Sequence, residues 1–214
     1  MLNRLLHAEE GISLAELLVA GAMASIIATA FISIFFAFSR GVSLEEARAD
    51  ALNDVQAATA DLATELRQAV GLTLDSEVVE SLNAMWPDPE LVFYSDRADA
   101  PGPERYRYFV TGCAGALCEL HREVTVADAG GPPWTYTTTP GTQRVVANLI
   151  SGGAALFQGA KWVGGTEVLT TSCGASSPCE ITLVEIVMSV DPDPETPAEE
   201  PLTVRHQVRL RNAG

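Results

Sequence analysis

The sequence predicts an α+β fold in which one long N-terminal helix, half suited to a membrane and half amphipathic, packs on an antiparallel β-sheet head. Three observations predict it. Residues 12–38 form an apolar run whose one ionisable side chain is Glu16. Apolar residues then recur at steps of three or four from Leu44 through Ala47, Ala51, Val55, Ala58, Leu62 and Leu66 to Ala69, among Glu45, Arg48, Asp54, Asp61, Glu65 and Arg67. Beyond Trp86-Pro87-Asp88-Pro89, short segments rich in β-branched and aromatic residues alternate with turns carrying Pro and Gly. These divide the chain into a polar segment 1–11, a membrane half of the helix 12–39, an amphipathic half 40–72 and a β-rich head 73–214.

Composition narrows the function. The 214 residues carry 13 basic and 28 acidic side chains for a net charge of −15, with 47% hydrophobic and 19% charged residues. Such a chain can bury a core, and its acidity opposes partners held through phosphates, so no nucleic acid is expected.

The apolar run is too long for an ordinary core helix. At 1.5 Å per residue it extends about 40 Å, against a hydrocarbon thickness of about 30 Å. A removable secretory signal is the alternative, since Ala22-Met23-Ala24 has small residues where signal peptidase cuts. Against it, Glu16 interrupts the apolar region, Arg4 is the leader's only cation, and the run continues to Phe38. Residues 1–11 carry Arg4 against Glu9 and Glu10, so the charge rule places the N-terminus in the cytoplasm only weakly. A carboxylate early in a membrane helix costs a few kcal/mol unless it lies at an interface or is paired, which makes Glu16 a candidate functional residue.

The stretch Gly11-Ile12-Ser13-Leu14-Ala15-Glu16-Leu17-Leu18-Val19-Ala20 resembles the prepilin cleavage and methylation motif of type IV pilins and type II secretion pseudopilins. It combines a short polar leader ending in Gly, an apolar residue, a Glu at the fifth place after the cut, and an unbroken hydrophobic helix. The resemblance implies that a prepilin peptidase cuts between Gly11 and Ile12 and methylates the new amine of Ile12. It also implies that Glu16 neutralises the N-terminus of a neighbouring subunit in a helical bundle. Amine and carboxylate attract strongly in low dielectric, whereas either alone is costly to bury. A snorkelling acid at the membrane interface is the plainer reading of Glu16.

In the head, residues 91–95, 105–110, 117–127, 181–190 and 202–211 read as strands, as does Arg-Val-Val-Ala-Asn-Leu-Ile at 144–150. The segment 181–190 is apolar on nearly both faces, as a central strand would be, while 202–211 places Leu202, Val204, His206, Val208 and Leu210 on one face. Between them, residues 191–201 form an acidic, proline-rich hairpin loop. Asp191, Asp193 and Glu195 alternate like the opening of a calcium loop, but prolines fill the gaps and Thr196 stands where such a loop needs Gly, so a solvated loop is the preferred reading. The strand pattern and the terminal Val208-Arg209-Leu210-Arg211-Asn212 are similar to the minor pilin and minor pseudopilin branch of the family.

Four cysteines fall in two close pairs, Cys113 with Cys118 and Cys173 with Cys179. Beyond a membrane helix they would meet an oxidising compartment, so two local disulfides are the preferred reading, with reduced buried thiols and zinc as alternatives. His7, His121 and His206 do not converge on a catalytic arrangement, and His206 reads as a satisfied core histidine. No nucleophile elbow, phosphate loop or zinc-helix motif occurs, so no catalytic residue, metal ligand, cofactor or small-molecule substrate is expected. Arg205, Arg209 and Arg211 share the polar face of the last strand, either as a solvated face or as a contact with the acidic side of another subunit. Residues 73–214 hold 9 basic and 19 acidic side chains, so the head carries −10.

The functional expectation is a minor pilin. It would be processed at the inner membrane with its leader cytoplasmic and its head outside, then assembled with other pilin or pseudopilin subunits into a pilus-like fibre. The rivals are a type II secretion minor pseudopilin and an unprocessed single-pass envelope binding protein.

Overall fold

A computed structural model describes residues 13–71, 78–96, 101–128, 131–174, 179–192 and 201–211. One helix, α1 (Leu14–Arg67), is followed by ten strands. They are β1 (Val79–Asn83), β2 (Glu90–Ser95), β3 (Glu104–Ala114), β4 (Leu117–Thr125), β5 (Gly141–Ile150), β6 (Phe157–Val163), β7 (Thr166–Thr170), β8 (Ser172–Cys173), β9 (Leu183–Val190) and β10 (Leu202–Arg209). The predicted class holds: a long helix and an antiparallel sheet, α+β. The chain separates into two compact units, Met1–Glu46 and Ala47–Gly214.

The first unit contains the apolar part of α1. Its large side chains are exposed: Phe31, Phe35, Phe36 and Phe38 are each 60–71% accessible. None of its most apolar window is buried inside the chain. The helix is long and apolar enough to cross a membrane.

In the second unit the predicted stripe of α1 faces the sheet. Val55, Leu62 and Leu66 are at most 1% exposed and join Leu91, Phe93, Tyr106, Tyr108, Leu120, Val146, Ile186, Met188 and Val208 in one core. Phe93 stacks between Tyr106 and Tyr108, with centroids at 5.5 and 6.3 Å. Small buried residues at Ala58 and Ala63 let the helix lie close on the sheet. The stripe also admits polar residues: Thr59 is buried, its hydroxyl donating to the Val55 carbonyl at 2.7 Å. Glu65 corrects the expectation of a solvent-facing charge, because it is 2% exposed.

The helix ends at Arg67, short of the end of the expected amphipathic half 40–72, because the chain is drawn into the sheet. Ala69 bridges Ser95, the Val70 N–H donates to the Tyr94 carbonyl at 2.8 Å, and the Ser95 hydroxyl donates to the Glu65 carbonyl at 3.1 Å. The last turn thus finds a partner for the Glu65 carbonyl in β2.

The sheet runs β7-β6-β9-β5-β4-β3-β2-β1-β8, with β10 paired to β9. β10 matches β9 along its whole length, from Leu202 opposite Val190 to Arg209 opposite Leu183. The other edge of β9 is shared by β6, through Phe157 opposite Ile186, and by β5, through Leu149 opposite Val190. β9 is therefore central, as its apolar sequence requires. The strand expected over 181–190 starts at Leu183, after Ile181 and Thr182, and the one expected over 202–211 closes at Arg209.

Candidate functional site

The residues singled out by the sequence lie at the start of α1. Gly11 and Ile12 fall outside the described residues. Ser13 and Glu16 open the helix reciprocally: the Ser13 N–H donates to a Glu16 carboxylate oxygen at 3.0 Å, and the Glu16 N–H donates to the Ser13 hydroxyl at 3.2 Å. This is a capping box, a signature that Ser-x-x-Glu carries in the sequence. It satisfies two of the backbone donors that a helix leaves open, which matters most where water is scarce. Glu16 thus has a structural role within its own chain, and the remaining acceptor capacity of its carboxylate is compatible with a second donor.

Further along, the polar groups of the apolar segment are folded away. The hydroxyls of Ser25, Thr29 and Ser33 each donate to the carbonyl four residues earlier, at Gly21, Ser25 and Thr29, all at 2.8 Å. Their hydrogen-bonding demand is met inside the helix. Gly21, Ser25 and Thr29 then form a row of small residues within about 80° of one another around the helix, a surface on which membrane helices approach closely.

The amphipathic part is locked to the head by charge as well as by apolar packing. The Glu65 carboxylate accepts from the Tyr108 hydroxyl at 2.6 Å and from the Arg122 guanidinium at 2.8 Å. Arg122 also donates to the Gln143 side chain at 2.9 Å. Helix, β3, β4 and β5 are thereby tied together. Burial, followed by the neighbouring Glu65 charge and hydrogen bond, pushes the Tyr108 phenol well above its ordinary range, so it remains a donor at every physiological pH.

A second cluster lies at Glu80 on β1. Burial opposes its charge, yet hydrogen bonds from Arg105 at 2.7 Å and Tyr94 at 2.6 Å outweigh burial and hold its pKa below the usual carboxylate value. On β2 to β5, Arg107 bridges Glu90 and Glu123 at 3.2 and 3.1 Å, and Arg144 reaches Glu119 at 3.0 Å. These ion pairs cover a sheet face with satisfied charge.

Both local disulfides are present, Cys113–Cys118 and Cys173–Cys179. The first closes the β3–β4 turn, where Gly112 and Gly115 adopt positive φ of 64° and 65°. The second joins β8 to the stretch before β9. His7 lies outside the described residues. His121 pairs with Glu119 at 3.0 Å, and His206 on β10 is half-buried with its ring nitrogen 3.5 Å from the Arg67 guanidinium, a partner on α1 that its strand pattern does not reveal. Among the described residues no three His, Cys, Asp or Glu side chains are grouped to hold a metal ion. Most of the acidic loop with the calcium-like alternation, residues 193–200, falls outside the described residues.

No family model matches this chain, and neither a curated protein nor a solved structure is similar to it.

Proposed function

We propose that the protein is a structural subunit, a minor pilin, of a type IV pilus-like fibre. A prepilin peptidase cuts between Gly11 and Ile12, and the processed chain assembles through its N-terminal helix with other pilin or pseudopilin subunits. The observation that carries the reading is the junction itself: Gly11-Ile12 followed by Glu16 at the head of an uninterrupted apolar helix. The architecture is compatible with it, since a long apolar N-terminal helix continues into a segment packed on a disulfide-bearing antiparallel sheet. Such a helix is suited to membrane anchoring, and an inner-membrane location with the head outside follows from the processing reading.

The physics of assembly explains the division of α1. Moving an apolar helix from lipid into a bundle of equally apolar helices changes little hydrophobic free energy, so specificity must come from packing and polar contacts. The row Gly21, Ser25 and Thr29 supplies a close-packing surface, and the Glu16 carboxylate supplies a polar one. The head contributes no chemistry to this process, and no enzymatic activity, cofactor, nucleic acid or small-molecule substrate enters the proposal.

The role is tested by shearing cells that carry an active pilus-type assembly system and probing both fractions for the chain. The processed chain is expected in the sheared fibre fraction and in the membrane. Confinement to the membrane of cells that do make fibres would contradict a fibre role and favour an anchored envelope protein.

A further inference from the structure

The charges of the second unit are not evenly matched. Although acids outnumber bases, most described cations of the sheet are spoken for: Arg105 pairs with Glu80, Arg107 with Glu90 and Glu123, Arg122 with Glu65, Arg144 with Glu119, and Lys161 with Glu180. Arg205, Arg209 and Arg211 differ, being exposed and without an ion-pair partner among the described residues. With Gln207 they share one face along and just beyond β10, a strand that among the described residues pairs only with β9. From Arg205 to Arg211 the row extends about 20 Å at strand rise. Glu185 on β9 stands opposite Gln207, within the row, but bonds to none of these arginines.

A complementary row lies on α1. Asp50, Asp54 and Asp61 are exposed and likewise have no ion-pair partner among the described residues. At about 100° per residue they fall within about 40° of one another around the helix, spread over about 16 Å of its length. Their flank adjoins β4 and β5: Asp54 lines a cleft with Val146, Asn148 and Asp191, and Asp61 lines another with Glu65 and Arg122. Arg67, about 120° further round the helix, faces β10 instead, beside His206. The acidic row and the arginine row therefore lie on opposite flanks of one helix-on-sheet unit, where they cannot meet within a chain.

We propose that they meet between chains: the arginine row of β10 in one copy docks on the Asp50–Asp54–Asp61 row of α1 in a second copy. The two rows have similar length and opposite charge. A contact between different surfaces of like subunits is heterologous, and where its rotation does not close into a ring it extends as an open filament. This deepens the fibre-subunit reading and rests on it. The plainer role for charge on an unpaired edge strand is to repel other strands, which would ask nothing of α1.

Charge swapping in the full-length protein tests the contact. Two differently tagged copies are co-expressed with prepilin peptidase, extracted in detergent, and one is captured through the other. Arg205→Glu with Arg209→Glu, and separately Asp54→Arg with Asp61→Arg, are expected to lower capture about tenfold each. All four changes together are expected to restore it to within about twofold, because only the direction of the pairing is reversed. The positions are exposed, so unfolding is checked by an unchanged melting temperature. Capture indifferent to both pairs, or a fourfold variant as weak as the pairs, would overturn the contact. So would loss of binding to phosphatidylglycerol vesicles by the β10 pair with capture intact, which would assign the arginines to lipid. The mass of the same extracts separates the two readings. A processed chain without rescue loses the contact alone, whereas rescue in a chain that keeps residues 1–11 retains the contact and loses the fibre role.

Discussion

Glu16→Gln is expected to insert, be processed and fold as the parent does, yet to fall about ten- to a hundredfold in the sheared fibre fraction, the range given by losing a charge-assisted hydrogen bond. The substitution separates the capping role seen in the structure from the proposed assembly role. A glutamine carbonyl still accepts from the Ser13 N–H, so the capping box at 3.0 and 3.2 Å survives while the charge is gone. Ser13→Ala does the converse: it removes the hydroxyl that caps the Glu16 N–H, costs about 1 kcal/mol of helix stability, and keeps the carboxylate. Under the assembly reading, Glu16→Gln fails and Ser13→Ala assembles. If Glu16 were a cap and nothing more, Glu16→Gln would assemble normally and Ser13→Ala would carry the defect. Glu16→Ala, which removes both functions at once, cannot tell the roles apart.

Arg122→Met is expected to destabilise the head by about 3–5 kcal/mol, because it leaves a carboxylate in the core without its cation. Glu65 is 2% exposed and has Arg122 at 2.8 Å and Tyr108 at 2.6 Å as donors. Deleting the cation strands the charge, whereas deleting both ends need not. Because Glu65→Leu also leaves the buried Tyr108 hydroxyl without its acceptor, the triple variant Glu65→Leu, Tyr108→Phe and Arg122→Met is expected to recover most of the loss, since a buried ion pair replaced by apolar groups is often neutral. Thermal unfolding of the full chain in detergent, followed by near-ultraviolet dichroism of the Tyr and Trp side chains, reads both. An Arg122→Met chain that melts with the parent would show that the pair is not what ties α1 to the sheet.

Elements with a strong internal pattern are legible in the amino-acid order alone. The period of three to four from Val55 through Ala58 and Leu62 to Leu66 marks the packed face of α1, and the alternation of Leu202, Val204, His206 and Val208 marks the inward face of β10. The elements that escape lack a pattern for physical reasons. β1, Val-Glu-Ser-Leu-Asn, has two apolar residues in five and is held by its register with β2. β6 contains Gly159, which reads as a turn. A Cβ there would come within 2.5 Å of the Ile181 side chain, so glycine is needed for that approach. β7 is an exposed edge strand, with Leu169 58% accessible and no buried face to impose alternation. β8 is two residues long and ends at a disulfide cysteine.

The candidate site divides the same way. Ser-x-x-Glu is a local signature, yet a carboxylate in an apolar helix points first to a partner in another subunit and only then to the amide three residues away. Glu65 cannot be placed from its helix position, because Asp61, one turn earlier on the same flank, is exposed. Its burial depends on Tyr108 and Arg122, which lie 43 and 57 residues away in sequence. Local periodicity carries no information about such partners. The disulfides are legible as close pairs, and each cysteine is joined to its nearer neighbour in sequence.

The most direct test of the central claim is the intact mass of the chain extracted from membranes that contain, or lack, an active prepilin peptidase. The account predicts that the peptidase removes residues 1–11 and adds one methyl group, so that the chain begins at Ile12. A full-length chain in the presence of active peptidase would contradict it and leave an anchored envelope protein, and a chain beginning at Ser25 would contradict it in favour of a cleaved secretory signal.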